Sequence, residues 1–121
     1  MRVIAGRAKG RLLKSPASPG TRPTSGRVRG AVFSSLQSLV PSFPRVLDLY
    51  AGTGAFGIEA LSRSATWVDF VEQSPRLCAL IRDNLRKLEL SEQGHIYCAS
   101  VSRALGFLAD PYDLIFADPP Y

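Results

Sequence analysis

The period of apolar positions along the chain changes near Pro44. Before it, Val28, Ala31, Val32, Leu36, Leu39 and Val40 recur on one face of a helix that starts at Thr24, with Thr24 or Ser25 as its cap and Pro41 as its stop. After it, short apolar runs alternate with helical stretches. RVLDLY (45–50) is almost entirely apolar, as a strand buried on both faces of a sheet is, and TWVDFVE (66–72), HIYCA (95–99) and DLIFA (113–117) read as three further strands. Pro75 opens the helix after the second strand, and Leu77, Leu80, Ile81, Leu85 and Leu88 follow at three-four spacing. SEQG (91–94) is a turn, and residues 101–109 carry another short helical pattern. Strands separated by helices predict an α/β fold: an open, mostly parallel sheet with helices on both faces and right-handed crossovers. Residues 1–23 differ. They alternate Val3-Ile4 and Leu12-Leu13 with Gly6, Gly10 and SPASPGTRP, which predicts a hairpin or extended arm without a core of its own, leading into a second unit over 24–121.

Composition narrows this picture. A chain of 121 residues, 45% hydrophobic and 21% charged, has the material for one core and rules out collagenous, disordered and disulfide-scaffold classes. No apolar stretch approaches the roughly 18 residues of a membrane span, and MRVIAGRAKGR places charges where a signal peptide needs an apolar segment. A cytoplasmic protein is expected. Cys78 and Cys98 stand alone without metal-type spacing, so both are expected to be buried reduced thiols. With His95 as the single histidine, neither a metal cluster nor a His-based triad is expected.

Charge changes the picture more. The net +5 divides into +9 on residues 1–45, which contain no acid, and −4 on the remainder. Cations spread over a whole segment repel one another unless a polyanion offsets them, and the natural polyanion is nucleic acid. The arm is poor in aromatic residues, so its Arg7, Lys9 and Arg11 are expected to meet phosphates rather than stack on bases.

Sheets of this kind bind ligands at the carboxyl ends of their strands, and the chemically telling residues fall there. GTGAFG (52–57) follows the first strand, and Glu72 ends the second, 24 residues after Asp48. The glycines permit a tight turn and close approach of a ligand, while the acid can accept both ribose hydroxyls of an adenosine. Asp48 beside the turn would repel a pyrophosphate and attract a cation, which favours S-adenosylmethionine over a dinucleotide. Asp118-Pro119-Pro120-Tyr121 follows the fourth strand, where two prolines stiffen the chain. An amine on a planar base is a poor nucleophile because its lone pair is delocalised into the ring. The Asp118 carboxylate and Pro119 carbonyl can hold its N–H groups toward an incoming methyl group, and Tyr121 can stack on a base that has left its helix or loop.

On MRVIAGRAKGRLL, TRPTSGRVRGAVFSSL, VLDLYAGTGAFGIEALSR, VDFVE and YDLIFADPPY, taken in that order from residue 1 to residue 121, the chain resembles the bacterial 16S ribosomal RNA guanine-N2 methyltransferases of the RsmD type. The first two segments are the more specific, since many amino-group methyltransferases share the glycine turn and DPPY. The resemblance implies a Rossmann-like class I methyltransferase fold with strand order 3-2-1-4, S-adenosylmethionine as donor with S-adenosylhomocysteine as product, and a guanine of 16S rRNA or the small ribosomal subunit as acceptor. It places Asp48, Ala51, Gly52 and Gly54 on the methionine side, Glu72 on the ribose, and Asp118 to Tyr121 on the base. It assigns Arg22, Thr24 and Arg29 to rRNA or to closing the cofactor pocket.

Two departures stand out. CASVS puts Ser100 where the family often has an Asp near adenine, so weaker cofactor binding is expected. Family members also continue past DPPY. With order 3-2-1-4, strand 113–117 is a bare edge, which a missing segment or a partner chain is expected to cover, and these 121 residues alone are expected to turn over little. Two other readings compete: an amino methyltransferase acting on DNA adenine or protein glutamine, and a non-catalytic RNA-binding assembly factor that keeps the fold.

Overall fold

The computed structural model describes residues 1–15 and 26–119, so the expectations placed on Arg22, Thr24, Ser25 and Tyr121 lie outside the described residues. The arm leads into α1 (Gly26–Leu39), followed by β1 (Arg45–Leu49), α2 (Ala55–Ser62), β2 (Trp67–Glu72), α3 (Pro75–Lys87), a 3-10 turn (Ser91–Gln93), β3 (Gly94–Cys98), α4 (Val101–Ala104) and β4 (Leu114–Ala117). The four strands form one parallel sheet in the order β3-β2-β1-β4, the order the family resemblance implied. The helical pattern expected over 101–109 delivers a helix only as far as Ala104.

The local chemistry explains the boundaries. Ser74 caps α3 by accepting the Leu77 N–H at 3.3 Å, Pro75 occupies the first turn, and Arg86 and Lys87 sit in the last turn, where the helix dipole favours cations. Helix α2 starts at Gly54 in the left-handed conformation (φ 80°), which has no side chain to cap the helix; the Gly57 N–H of the first turn is taken by Asp48 at the end of β1.

The two faces of the sheet are covered unequally. On one, Val46, Val68 and Phe70 pack with residues of α1, α2, α3 and the arm, around Phe33, Ile58, Leu61 and Ile81. On the other, Leu47, Leu49 and Val71 meet Ala104 of α4 and the flanking Tyr97, Leu108 and Tyr112. Edge strand β4 leaves Ile115 55% exposed. Gly57 sets the spacing on the crowded face, because a Cβ there would lie 2.3 Å from Cε1 of Phe70 and 2.8 Å from Cγ1 of Val68. Only glycine lets α2 approach β2 so closely.

Three expectations need correction. The inward side of α1 carries Arg29 and Phe33, while Val28 is 51% and Leu39 79% exposed. An ion pair and an aromatic cluster of Phe33 with Phe43, Phe56 and Phe116 outweigh the aliphatic stripe. Arg29, read from sequence as a nucleic-acid contact, is 1% exposed: it pairs with Glu59 and donates to the Arg2 carbonyl, so its charge is spent inside the protein. Cys98 is exposed, because it ends edge strand β3, whereas Cys78 is buried and its thiol is pushed up to about 12, first by desolvation.

The arm is docked. Its two limbs touch at a single antiparallel bridge between Arg2 and Leu12, and Val3, Ala8 and Leu13 join the main core. The Glu59 carboxylate accepts the Ile4 and Ala5 N–H groups at 2.9 and 3.0 Å, and Ser62 Oγ accepts that of Ala8 at 2.8 Å. On the other side, Asn84 Oδ1 accepts the Lys14 N–H at 2.7 Å and its amide donates to the Lys14 carbonyl at 3.3 Å. The hairpin thus lies between α2 and α3.

Candidate active site

The carboxyl ends of β1, β2 and β4 converge. β1 delivers Asp48 and then turns through three left-handed positions, Tyr50 (φ 55°), Gly52 (φ 60°) and Gly54 (φ 80°), two of them glycines that adopt this conformation without strain. The turn is pinned to β2: Glu72 Oε1 accepts the Gly52 N–H at 2.8 Å, Oε2 accepts the Ser74 N–H at 2.8 Å, and the Ala51 N–H donates to the Val71 carbonyl at 2.9 Å. Each Glu72 oxygen has a second lone pair, so the carboxylate can orient the turn and still meet a ligand hydroxyl.

Asp48 is 2% exposed and accepts the Gly57 N–H at 3.0 Å. Desolvation raises its carboxyl from 3.8 to about 8; the Gly57 hydrogen bond pulls the other way, and the charges of Glu72 and Asp118 push further up. Leu49 of β1 lies between Val71 of β2 and Ala117 of β4, so the next residues of those strands, Glu72 and Asp118, stand at the same end of the sheet on either side of the turn. Asp118 is exposed and Pro119 half-buried. Ser100 caps α4, its Oγ accepting the Arg103 N–H at 3.2 Å, which leaves the hydroxyl proton for another acceptor. Ala51 and Gly52 are half-buried and Gly54 is buried.

Asp48 and Glu72 flank the glycine turn and accept from backbone N–H groups. Two acids so placed fit a cationic organic ligand such as a sulfonium with an ammonium group: the turn offers backbone amides to a carboxylate, and the acids offer attraction to the cation. Among the described residues no group of three His, Cys, Asp or Glu is arranged to hold a metal ion.

Arg7, Lys9 and Arg11 are exposed, with Arg7 reaching Gln93 Oε1 at 3.2 Å and Arg11 reaching the Lys87 carbonyl at 3.1 Å. Sequence reasoning missed Glu59. Its signal was a lone acid in the apolar helix AFGIEALS with Arg63 four residues on, and the two pair at 2.8 Å.

A parallel 3-2-1-4 sheet with a glycine-bent turn after β1 and an acid ending β2 is a Rossmann-like arrangement, and its likeness to solved methyltransferases places it in the class I methyltransferase fold. Within that class the chain belongs to the family described as Conserved hypothetical protein 95, the RsmD family, whose model matches residues 1–121. It is 40% identical over 126 residues to YlbH of Bacillus subtilis, covering 100% of this chain and 67% of that protein. It is 36% identical over 124 residues to Ribosomal RNA small subunit methyltransferase D of Escherichia coli strain K12, covering 100% of this chain and 60% of that one. The solved structure of yhhF from Escherichia coli superposes with a TM-score of 0.87 at 31% identity, over 100% of this chain and 64% of that chain. The chain therefore spans about two thirds or less of these relatives' length.

Proposed function

We propose that this chain carries the cofactor and base-binding half of an S-adenosylmethionine-dependent methyltransferase that modifies the exocyclic N2 of a guanine in 16S rRNA. The observation that supports the reading is the parallel register that brings Asp48, Glu72 and Asp118 to the end of the sheet where the glycine turn leaves β1, with the Glu72 carboxylate bonded to Gly52. When bound, S-adenosylmethionine supplies a methyl group on a sulfonium. Asp48, Ala51, Gly52 and Gly54 hold its methionine end, Glu72 its ribose and Ser100 its adenine.

The Asp118 carboxylate and the Pro119 carbonyl would accept the two N–H groups of the target amine and orient its nitrogen, and Tyr121 would stack on the base. On taking up the methyl group the amine would give up one proton, through Asp118, to solvent. Arg7, Lys9 and Arg11 bind rRNA phosphates, with the small ribosomal subunit as partner in the cytoplasm.

Transfer of labelled methyl to small ribosomal subunits, with naked DNA as the parallel acceptor and base analysis of the product, tests this. Asp118→Ala is expected to lower transfer by at least about a hundredfold while cofactor affinity stays within about twofold. Undiminished transfer removes Asp118 from the reaction, and label in adenine of DNA replaces the guanine reading.

A further inference from the structure

The arm does not carry its charge alone. Lys14 Nζ lies 3.2 Å from Asp83 Oδ2 on α3, and Arg86 Nη1 lies 3.8 Å from Oδ1 of the same carboxylate. Arg11 reaches the Lys87 carbonyl. The hairpin and α3 therefore present one continuous cationic surface. Helix α3 exposes Arg76, Arg82, Arg86 and Lys87, and its single acid, Asp83, is held between Lys14 and Arg86. Glu89 and Glu92 follow beyond the helix and leave the combined surface strongly positive.

The helix dipole accounts for Arg86 and Lys87 in the last turn, but not for Arg76 and Arg82 further up. Position supplies the missing reason. α3 starts next to Glu72 at the reactive end of the sheet and runs back roughly 20 Å, at 1.5 Å per residue, to the 3-10 turn where Arg7 meets Gln93. It spans the distance between the candidate methyl-transfer crevice and the basic hairpin tip. The exposed positions of α3 include no large apolar or aromatic side chain, only Pro75, Ala79 and the four cations, so the surface lacks what a lipid bilayer or base stacking would use.

We propose that α3 is the second half of an RNA phosphate track, with Arg82, Arg86 and Lys87 continuing the line of Arg11 and Lys14 toward the crevice; this rests on the reading of RNA as substrate. The test uses a fluorescein-labelled RNA stem-loop, titrated between about 50 and 200 mM salt. The variant Arg82→Gln/Arg86→Gln/Lys87→Gln alters only exposed side chains, and its thermal unfolding and cofactor affinity are expected to match the parent. Its RNA affinity is expected to fall at least about tenfold, with the salt slope shallower by about 2 to 3. Parental affinity and slope in that variant, alongside losses in Arg7→Gln/Lys9→Gln/Arg11→Gln, overturn the track and leave the RNA reading standing. A parent protein that does not bind the stem-loop even at low salt overturns both.

Discussion

Helix α2 joins two buried carboxyl groups that are treated in opposite ways. Glu59, inside the helix, receives four donors: the Ile4 and Ala5 N–H groups and the guanidinium groups of Arg29 and Arg63. Arg63 is in turn held by Gln37 at 3.0 Å and lies over the Phe33 ring at 5.0 Å. Asp48, beneath the first turn, receives one N–H and faces two like charges. A buried charge whose donors are all in place fixes architecture. A carboxyl that burial keeps protonated is a latent charge that a cationic ligand can draw out, and such sites gather where function is. The same helix thus locks the arm with one residue and presents the cofactor turn with the other.

The comparison breaks most visibly at Glu59. Glu59→Ala removes the charge partner of two buried guanidinium groups and the acceptor of two arm N–H groups, so a loss of about 3–5 kcal/mol in unfolding free energy is expected, read by urea denaturation. The hairpin is expected to become susceptible to proteolysis at the same time. A change below about 1 kcal/mol would mean that the four donors find water or other partners, and that Glu59 is no keystone.

Asp48 is expected to respond in the other direction. Asp48→Asn keeps an acceptor for the Gly57 N–H and removes a carboxyl that folding must keep protonated at neutral pH. The fold should gain roughly 1–3 kcal/mol at pH 7 while S-adenosylmethionine affinity falls at least about tenfold, by calorimetry. A variant that loses stability and keeps affinity would reverse the roles assigned to the two acids.

How much of this could be read from the sequence depends on whether a residue acts through its neighbours in the chain or across the fold. The four strands, the Pro75 start of α3 and the glycine turn were legible because each follows from local periodicity or backbone chemistry. The convergence of Asp48, Glu72 and Asp118 was legible only through the rule that parallel sheets gather function at one end. Arg29 was not legible. In the sequence it is one more cation in a basic segment, and its burial depends on Glu59, thirty positions away, as the hydrogen bond between them records. The stripe Val28-Leu39 misled for the same reason: the periodicity marked a helix correctly, but the partner surface, rich in aromatic rings and one carboxylate, chose which side faced inward. Asn84 was not legible either, because it clamps Lys14 from 70 positions away.

The finest distinction between the two acids lies in their pH dependence. Because folding raises the Asp48 carboxyl from 3.8 to about 8, this group's cost to stability is absent below pH 3.8, grows as pH rises through the interval, and levels off above about 8. The stability difference between Asp48→Asn and the parent should widen with pH across that window. Cofactor affinity should move with opposite sign. The cation prefers the ionised carboxylate, so parental affinity, divided by that of Asp48→Asn to cancel the ligand's own titrations, should rise by up to about tenfold per pH unit from pH 6 toward pH 8 and then flatten. A ratio independent of pH would show that Asp48 does not face the cation, and would move the attraction to Glu72.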